Sequence, residues 1–141
     1  MKMSPKLTLS DARLILEGSE AKAKQIGVDM DIAIVDDGGH LLAFIRMDGA
    51  RLTSIDVSIN KAFTAACARR ATHEYAATAG AGGPAFGMHV SNQGRFMIVG
   101  GGLPIFVRGM IAGGVGCSSG SPDQDREVAQ AGIDRFLASN P

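Results

Sequence analysis

Cysteine is scarce here: Cys67 and Cys117 are the two in 141 residues. That is too few for a disulfide framework, and their spacing is not that of metal ligands. Two small buried thiols in a reducing compartment account for both. An excess of charge of either sign is also missing. Lys plus Arg and Asp plus Glu number 14 each, so the formal net charge is zero. Such a balance exerts no pull toward nucleic acid or an anionic membrane, and it does little to keep copies of the chain apart. No apolar run is long enough to cross a bilayer. The opening MKMSPKLTLSDARLILEG lacks the apolar stretch and small-residue cleavage site of a secretory signal. The expectation is a cytoplasmic protein with neither nucleic acid nor membrane as partner. Finally, His40, His73 and His89 stand far apart, and no pair has metal-ligand spacing. No metal site is expected.

Glycine, by contrast, is abundant at 19 residues, and GGLPIFVRGMIAGGVGCSSG (101–120) holds much of it. A phosphate loop would need the Lys and Ser/Thr of a Walker motif, which Gly100-Gly101-Gly102 lacks, and would lead into a helix. Gly113-Gly114-Val115-Gly116 resembles a dinucleotide fingerprint only loosely, without a βαβ unit around it. Glycine inside a strand marks a bulge or the close approach of another element, and that is the reading taken here.

The length suits a single domain over residues 1–141. Thr8 to Gly27 reads as a helix, with Ala12, Ile15, Ser19, Ala23 and Ile26 on one face and Gly27 as its stop. Two strand-like runs, 29–36 and 40–47, flank Asp37-Gly38-Gly39, where a tight hairpin turn belongs. A long helix is expected over Ser54–Ala71, with Thr53 capping it and Asp56 three residues on. It is apolar or small almost all round, so it needs cover on two sides. A second copy of the chain is the natural second cover, and a homo-oligomer through the Ser54–Ala71 helix region is expected. A short helix follows at 72–78, then the glycine-rich stretch 80–94. Strands are read at Arg95–Val99, Leu103–Arg108 and Met110–Ser119. The last helix is announced by Ser121 as cap, Pro122 as first helical residue and Gln124 at the third. The order is α-β-β-α-α-β-β-β-α: an α+β domain with a five-stranded antiparallel sheet and helices packed on it.

IVDDGGHLLAFIRMDGA, SIDVSINKAFTAA and GGLPIFVRGMIAGGVGCSSGSPDQDREVAQAG, in that order, resemble the GlcG/HbpS-like family over nearly the whole chain. The resemblance implies a profilin- or PAS-like fold assembling into higher homo-oligomers. It also implies a haem-binding or haem-degrading label, and a kinship with the C-terminal domain of PduO. Where a histidine is described as ligating haem in that family, it lies in the first helix. Residues 17–25 of this chain read EGSEAKAKQ and contain none.

Five residues are candidates for the chemistry. His89, in the glycine-rich loop, is the best acid/base group or axial ligand. Lys61 is the only charge between Val57 and Ala68 on the covered helix, so it must be paired, neutralised or functional. Asp48, Asp56 and Asp125 are its candidate partners. Arg46 can grip a carboxylate with two parallel bonds, with an Arg46–Asp48 ion pair as the structural alternative. Asp125 lies at the last helix start, where anions are favoured and where capping alone would also explain it. Two functions follow. One is an oligomeric protein binding a small anionic or tetrapyrrole ligand, haem being the possible cofactor. The other is a catabolic enzyme or accessory factor doing acid/base chemistry on a carboxylate-bearing metabolite, with Lys61 and His89 catalytic and Arg46 as anchor.

Overall fold

A computed structural model describes residues 1–139. Helix α1 runs Leu9–Ile26 and begins with a reciprocal cap: the Asp11 N–H donates to the Thr8 hydroxyl while Asp11 accepts from the Thr8 N–H. Gly27, at φ 72°, turns the chain out of the helix. Its buried residues are Ala12, Ile15, Ser19 and Ala23, the face that the three-and-four spacing defines.

Strands β1 (Asp31–Asp36) and β2 (Leu41–Arg46) form the expected hairpin. Helix α2 then spans Ser54–Ala68. Thr53 does not cap it: the side chain makes no such bond, and its own backbone is already helical. A 3-10 turn at Thr72–Tyr75 runs into the short α3, Ala76–Ala79. Strands β3 (Gly102–Val107) and β4 (Met110–Ser118) precede α4, Pro122–Ser139. At the start of α4, Ser121 and Gln124 exchange the two bonds of a capping box.

The sheet has four strands, not the expected five, in the order β2-β1-β4-β3, every pair antiparallel. The missing strand is Arg95–Val99. That segment satisfies its backbone on a side chain of α2 instead. The Thr64 hydroxyl accepts the Met97 N–H at 2.9 Å and shares its one proton between the Arg95 carbonyl at 3.1 Å and the Asn60 carbonyl of its own helix at 2.8 Å. Its β-prone composition reflects burial against a helix, with no strand partner involved. The observed order is therefore α-β-β-α-α-β-β-α with 3-10 turns between.

One face of the sheet packs Ile32, Ile34, Leu103, Ile105, Val115 and Cys117 against α1 and α4. On the other, Ala33 and Val35 meet Ala62 and Ala66 of α2. Here the glycines of β4 have their explanation. A Cβ on Gly114 would strike the Ala62 carbonyl oxygen, and one on Gly116 the Ser58 carbonyl oxygen. Bare backbone lets α2 lie directly on the strand. The outer side of α2 is covered partly by the chain itself. Arg95 stacks its guanidinium 3.7 Å above the Phe63 ring, and Thr64 holds residues 95–97 down.

Candidate functional site

Lys61 sits mid-helix on the sheet-facing side of α2 and is 1% exposed. Its Nζ donates to Asp125 Oδ2 at 2.9 Å and to the Cys117 carbonyl at 3.0 Å. The other Asp125 oxygen accepts the Gly120 N–H. Gly101, at φ 126°, closes over the pair: a Cβ there would come within 2.8 Å of both Lys61 Nζ and Asp125 Cβ. Of the three partners open to Lys61, the fold selects Asp125. The glycine at 101 makes room for an ion pair.

His89 lies elsewhere, in the 3-10 turn Met88–Val90. It lines an apolar cavity of about 410 Å³ together with Phe86, Phe96, Met97, Ile98 and Val99. Phe86 tilts toward the imidazole with centroids 5.5 Å apart, and Phe96 is fixed edge-on to Tyr75 at 4.9 Å. The His89 Nδ1 is buried and has no hydrogen-bond partner. The floor of this cavity is the segment that Thr64 pins to α2, so a hydroxyl on a central helix positions the site.

Arg46 and Asp48 line a third place, a polar cleft of about 440 Å³ with Glu20, Lys24 and Asp29. Lys24 is committed to Glu20 at 3.3 Å, and Asp29 accepts the Gly49 N–H. Arg46 and Asp48 do not pair with each other; Arg46 stands opposite Asp31 in the strand register. The five candidate residues thus fall into three places. Lys61 and Asp125 are brought together, as are Arg46 and Asp48. Lys61 faces neither the His89 cavity nor the Arg46 cleft.

Several further titratable groups are explained locally. The His40 ring, on the surface, approaches Asp36 at 3.1 Å. Burial works to raise the Asp36 carboxyl, but the N–H groups of His40 and Gly38 and the His40 ring outweigh it and hold Asp36 below its ordinary value. Of the two thiols expected to be buried only Cys117 is, and burial pushes it far up; Cys67 is exposed, and partial desolvation pushes it up against the opposing charge of Arg95. Sequence reasoning missed Phe86, Phe96 and Thr64, whose roles appear only once the loop is folded onto α2. It also missed Asp31, a carboxyl buried at the head of an apolar run. Among the described residues no group of three or more His, Cys, Asp or Glu could hold a metal ion. No helix is long and apolar enough to cross a membrane.

The sequence profile of the family described as haem degrading protein HbpS-like matches residues 7–134. The chain belongs to the HbpS-like family. A 15.0 kDa protein from the dhaT-dhaS intergenic region of Citrobacter freundii is 42% identical over 130 residues, covering 92% of each chain. The crystal structure of protein ORFY of Klebsiella pneumoniae superposes with a TM-score of 0.95 at 36% identity, over 98% of this chain and 95% of that one. A PduOC–haem complex follows at a TM-score of 0.88 and 32% identity, over 92% and 94%. The HbpS-like fold is thus shared along almost the entire length, and the α+β architecture read from the sequence stands with one strand fewer.

Proposed function

We propose that this HbpS-like chain binds a flat, largely apolar ligand in the His89 cavity, haem or another tetrapyrrole being the class that suits it best. The observation that carries the reading is a buried imidazole nitrogen without a partner, set in a wall of aromatic and aliphatic side chains. A volume of about 410 Å³ is in the range of small-molecule sites. The donor set fits haem: His89 offers one imidazole, Phe86 and Phe96 offer ring faces, and Met97, Ile98 and Val99 add aliphatic wall. With nothing bonded to Nδ1, no neighbour dictates the ring's tautomer. When bound, haem supplies electron transfer and oxygen chemistry at its iron. The haem complex of PduOC, a relative of the same fold, supports this choice of ligand class. Because α1 carries no histidine, the imidazole here comes from the loop 80–94.

Self-association completes the proposal. Phe86 (63% exposed) and Val99 (43%) line the cavity yet face solvent, and Met88 (40%) and Val90 (70%), the chain neighbours of His89, are exposed as well. The surface that a second copy meets is therefore the segment covering α2, displaced outward from the helix expected from sequence. Tyr75, the sole tyrosine in a chain without tryptophan, stands edge-on to Phe96 and reports on the cavity. Haemin added stoichiometrically should quench Tyr75 emission with saturation near one equivalent, and the Phe96→Ala variant should lose that response. Linear, unsaturated quenching equal in both proteins would contradict the proposal.

A second reading has one observation in its favour: the Arg46–Asp48 cleft holds a cation and an anion with no mutual pairing. A carboxylate-bearing metabolite would bind there through Arg46. Catalysis by a Lys61–His89 couple draws no support from the geometry, since Lys61 is enclosed with Asp125. Calorimetric titration with small carboxylates, compared with Arg46→Ala, tests this reading.

A further inference from the structure

Asp31 heads the central strand β1 with 0% exposure, and neither of its carboxyl oxygens has a hydrogen-bond partner. In the strand's alternation Asp31 falls with Ala33 and Val35, which pack on Ala62 and Ala66. It faces the α2 layer, beneath the first turn of that helix.

Each neighbouring element is accounted for. From β4 comes Ser118, its register partner, whose hydroxyl donates to Ser54 at 3.1 Å. From α2 come Ser54 and Ser58, the latter donating to the Ile55 carbonyl. From β2 comes Arg46, the register partner on the other side and the one charge that acts on the carboxyl. Lys61, further along α2, is committed to Asp125, and Asp29 is committed to the Gly49 N–H. No hydroxyl of this layer turns its proton to Asp31. A carboxylate ion here would lack every compensation that normally accompanies buried charge. A neutral acid suits the site better, since burying an unpaired neutral carboxyl costs far less than burying an unpaired ion.

We propose that Asp31 is a proton-operated lock on the start of α2. The folded chain holds it as the neutral acid over a range in which the unfolded chain has it ionised, and loss of the proton releases the helix's first turn. Burial raises the carboxyl above its ordinary value of 3.8, and the Arg46 charge opposes this without cancelling it. The sign follows. The folded state binds the extra proton, so the contribution to stability is complete below about pH 3.8 and is lost as pH rises through the folded-state value. Within that window the group lowers the folded-to-unfolded ratio about tenfold per pH unit. The turn that would open is the one where the Ser54 N–H bonds the Arg51 carbonyl and the Arg51 N–H bonds the Ser119 hydroxyl.

The test is a carbon-13 titration of the aspartate carboxyls in the wild-type protein, with amide exchange followed at residues 54–58. Asp31 is expected to titrate at higher pH than exposed Asp123 and Asp134, and protection at 54–58 should fall through the same transition. In Asp31→Asn, an isosteric neutral variant, that fall should disappear. The proposal is overturned if Asp31 titrates with the exposed aspartates or below them, or if protection at 54–58 is indifferent to its titration. Because the carboxyl measurement uses the wild type, it decides even if the variant folds poorly.

Discussion

Lys61 Nζ and Asp125 Oδ2 lie 2.9 Å apart with both side chains almost wholly excluded from water, and the pair joins α2 to the start of α4 across β4. Removing one partner strands the other charge in the core. Asp125→Ala or Lys61→Met should each cost about 3–5 kcal/mol, whereas the double variant Lys61→Met/Asp125→Leu should recover most of the loss. Urea unfolding of the three proteins measures this. Equal losses in single and double variants would mean that the pair is not what holds the helices.

Thr64→Val keeps the shape of the side chain and deletes the hydroxyl that accepts from Met97 and shares its proton between the Arg95 and Asn60 carbonyls. Two lost bonds amount to about 1–3 kcal/mol. The more specific consequence is local. Residues 92–99 should become sensitive to limited proteolysis, and ligand binding in the His89 cavity should weaken with the floor of the site. Unchanged cleavage kinetics would show that the segment is held by other contacts.

Gly116→Ala places a methyl against the Ser58 carbonyl and Ala62. The helix must lift off β4, at a cost of about 1–3 kcal/mol or more. Ala substitution at Gly82, whose φ is positive but whose surroundings are open, brings backbone strain without any clash and serves as the comparison. Thermal unfolding of the two variants separates close packing from backbone conformation.

Asp36 has the opposite pH sign to Asp31. Its folded-state value is depressed, so its contribution is present above the ordinary 3.8 and is lost as pH falls through the folded value. Asp36→Asn should therefore reduce stability at pH 7 and flatten the loss as pH falls below the ordinary 3.8. Unfolding curves across that range, paired with wild type, check the direction.

Much of the fold was legible because local chemistry and tertiary packing agree. Gly27 and Ser121 with Gln124 mark helix ends that the structure keeps, and of Thr8 and Ser10, both able to cap α1, the structure uses Thr8. The even greasiness of α2 called for cover beyond the sheet, and the chain itself supplies part of it. It did not reveal that residues 92–97 supply part of the second cover, because a segment such as RFMIV has the composition of a strand wherever it is buried. Composition alone does not tell a sheet edge from the flank of a helix; the Thr64 hydroxyl decides it. For the site, the oddity of Lys61 in an apolar helix was visible, and so was one acidic partner among three. Which aspartate it met depended on how α4 crosses β4. Asp31 was hidden for the opposite reason: an aspartate at the head of a strand reads as a turn residue until the burial around it is known.

The central claim is that the His89 cavity takes a tetrapyrrole. Titrating haemin into wild type and His89→Ala, followed by absorbance in the oxidised and reduced states, tests it most directly. The account predicts a sharp Soret shift saturating at one equivalent in wild type and its loss in the variant. Weak, unsaturated changes that are the same in both proteins would contradict it.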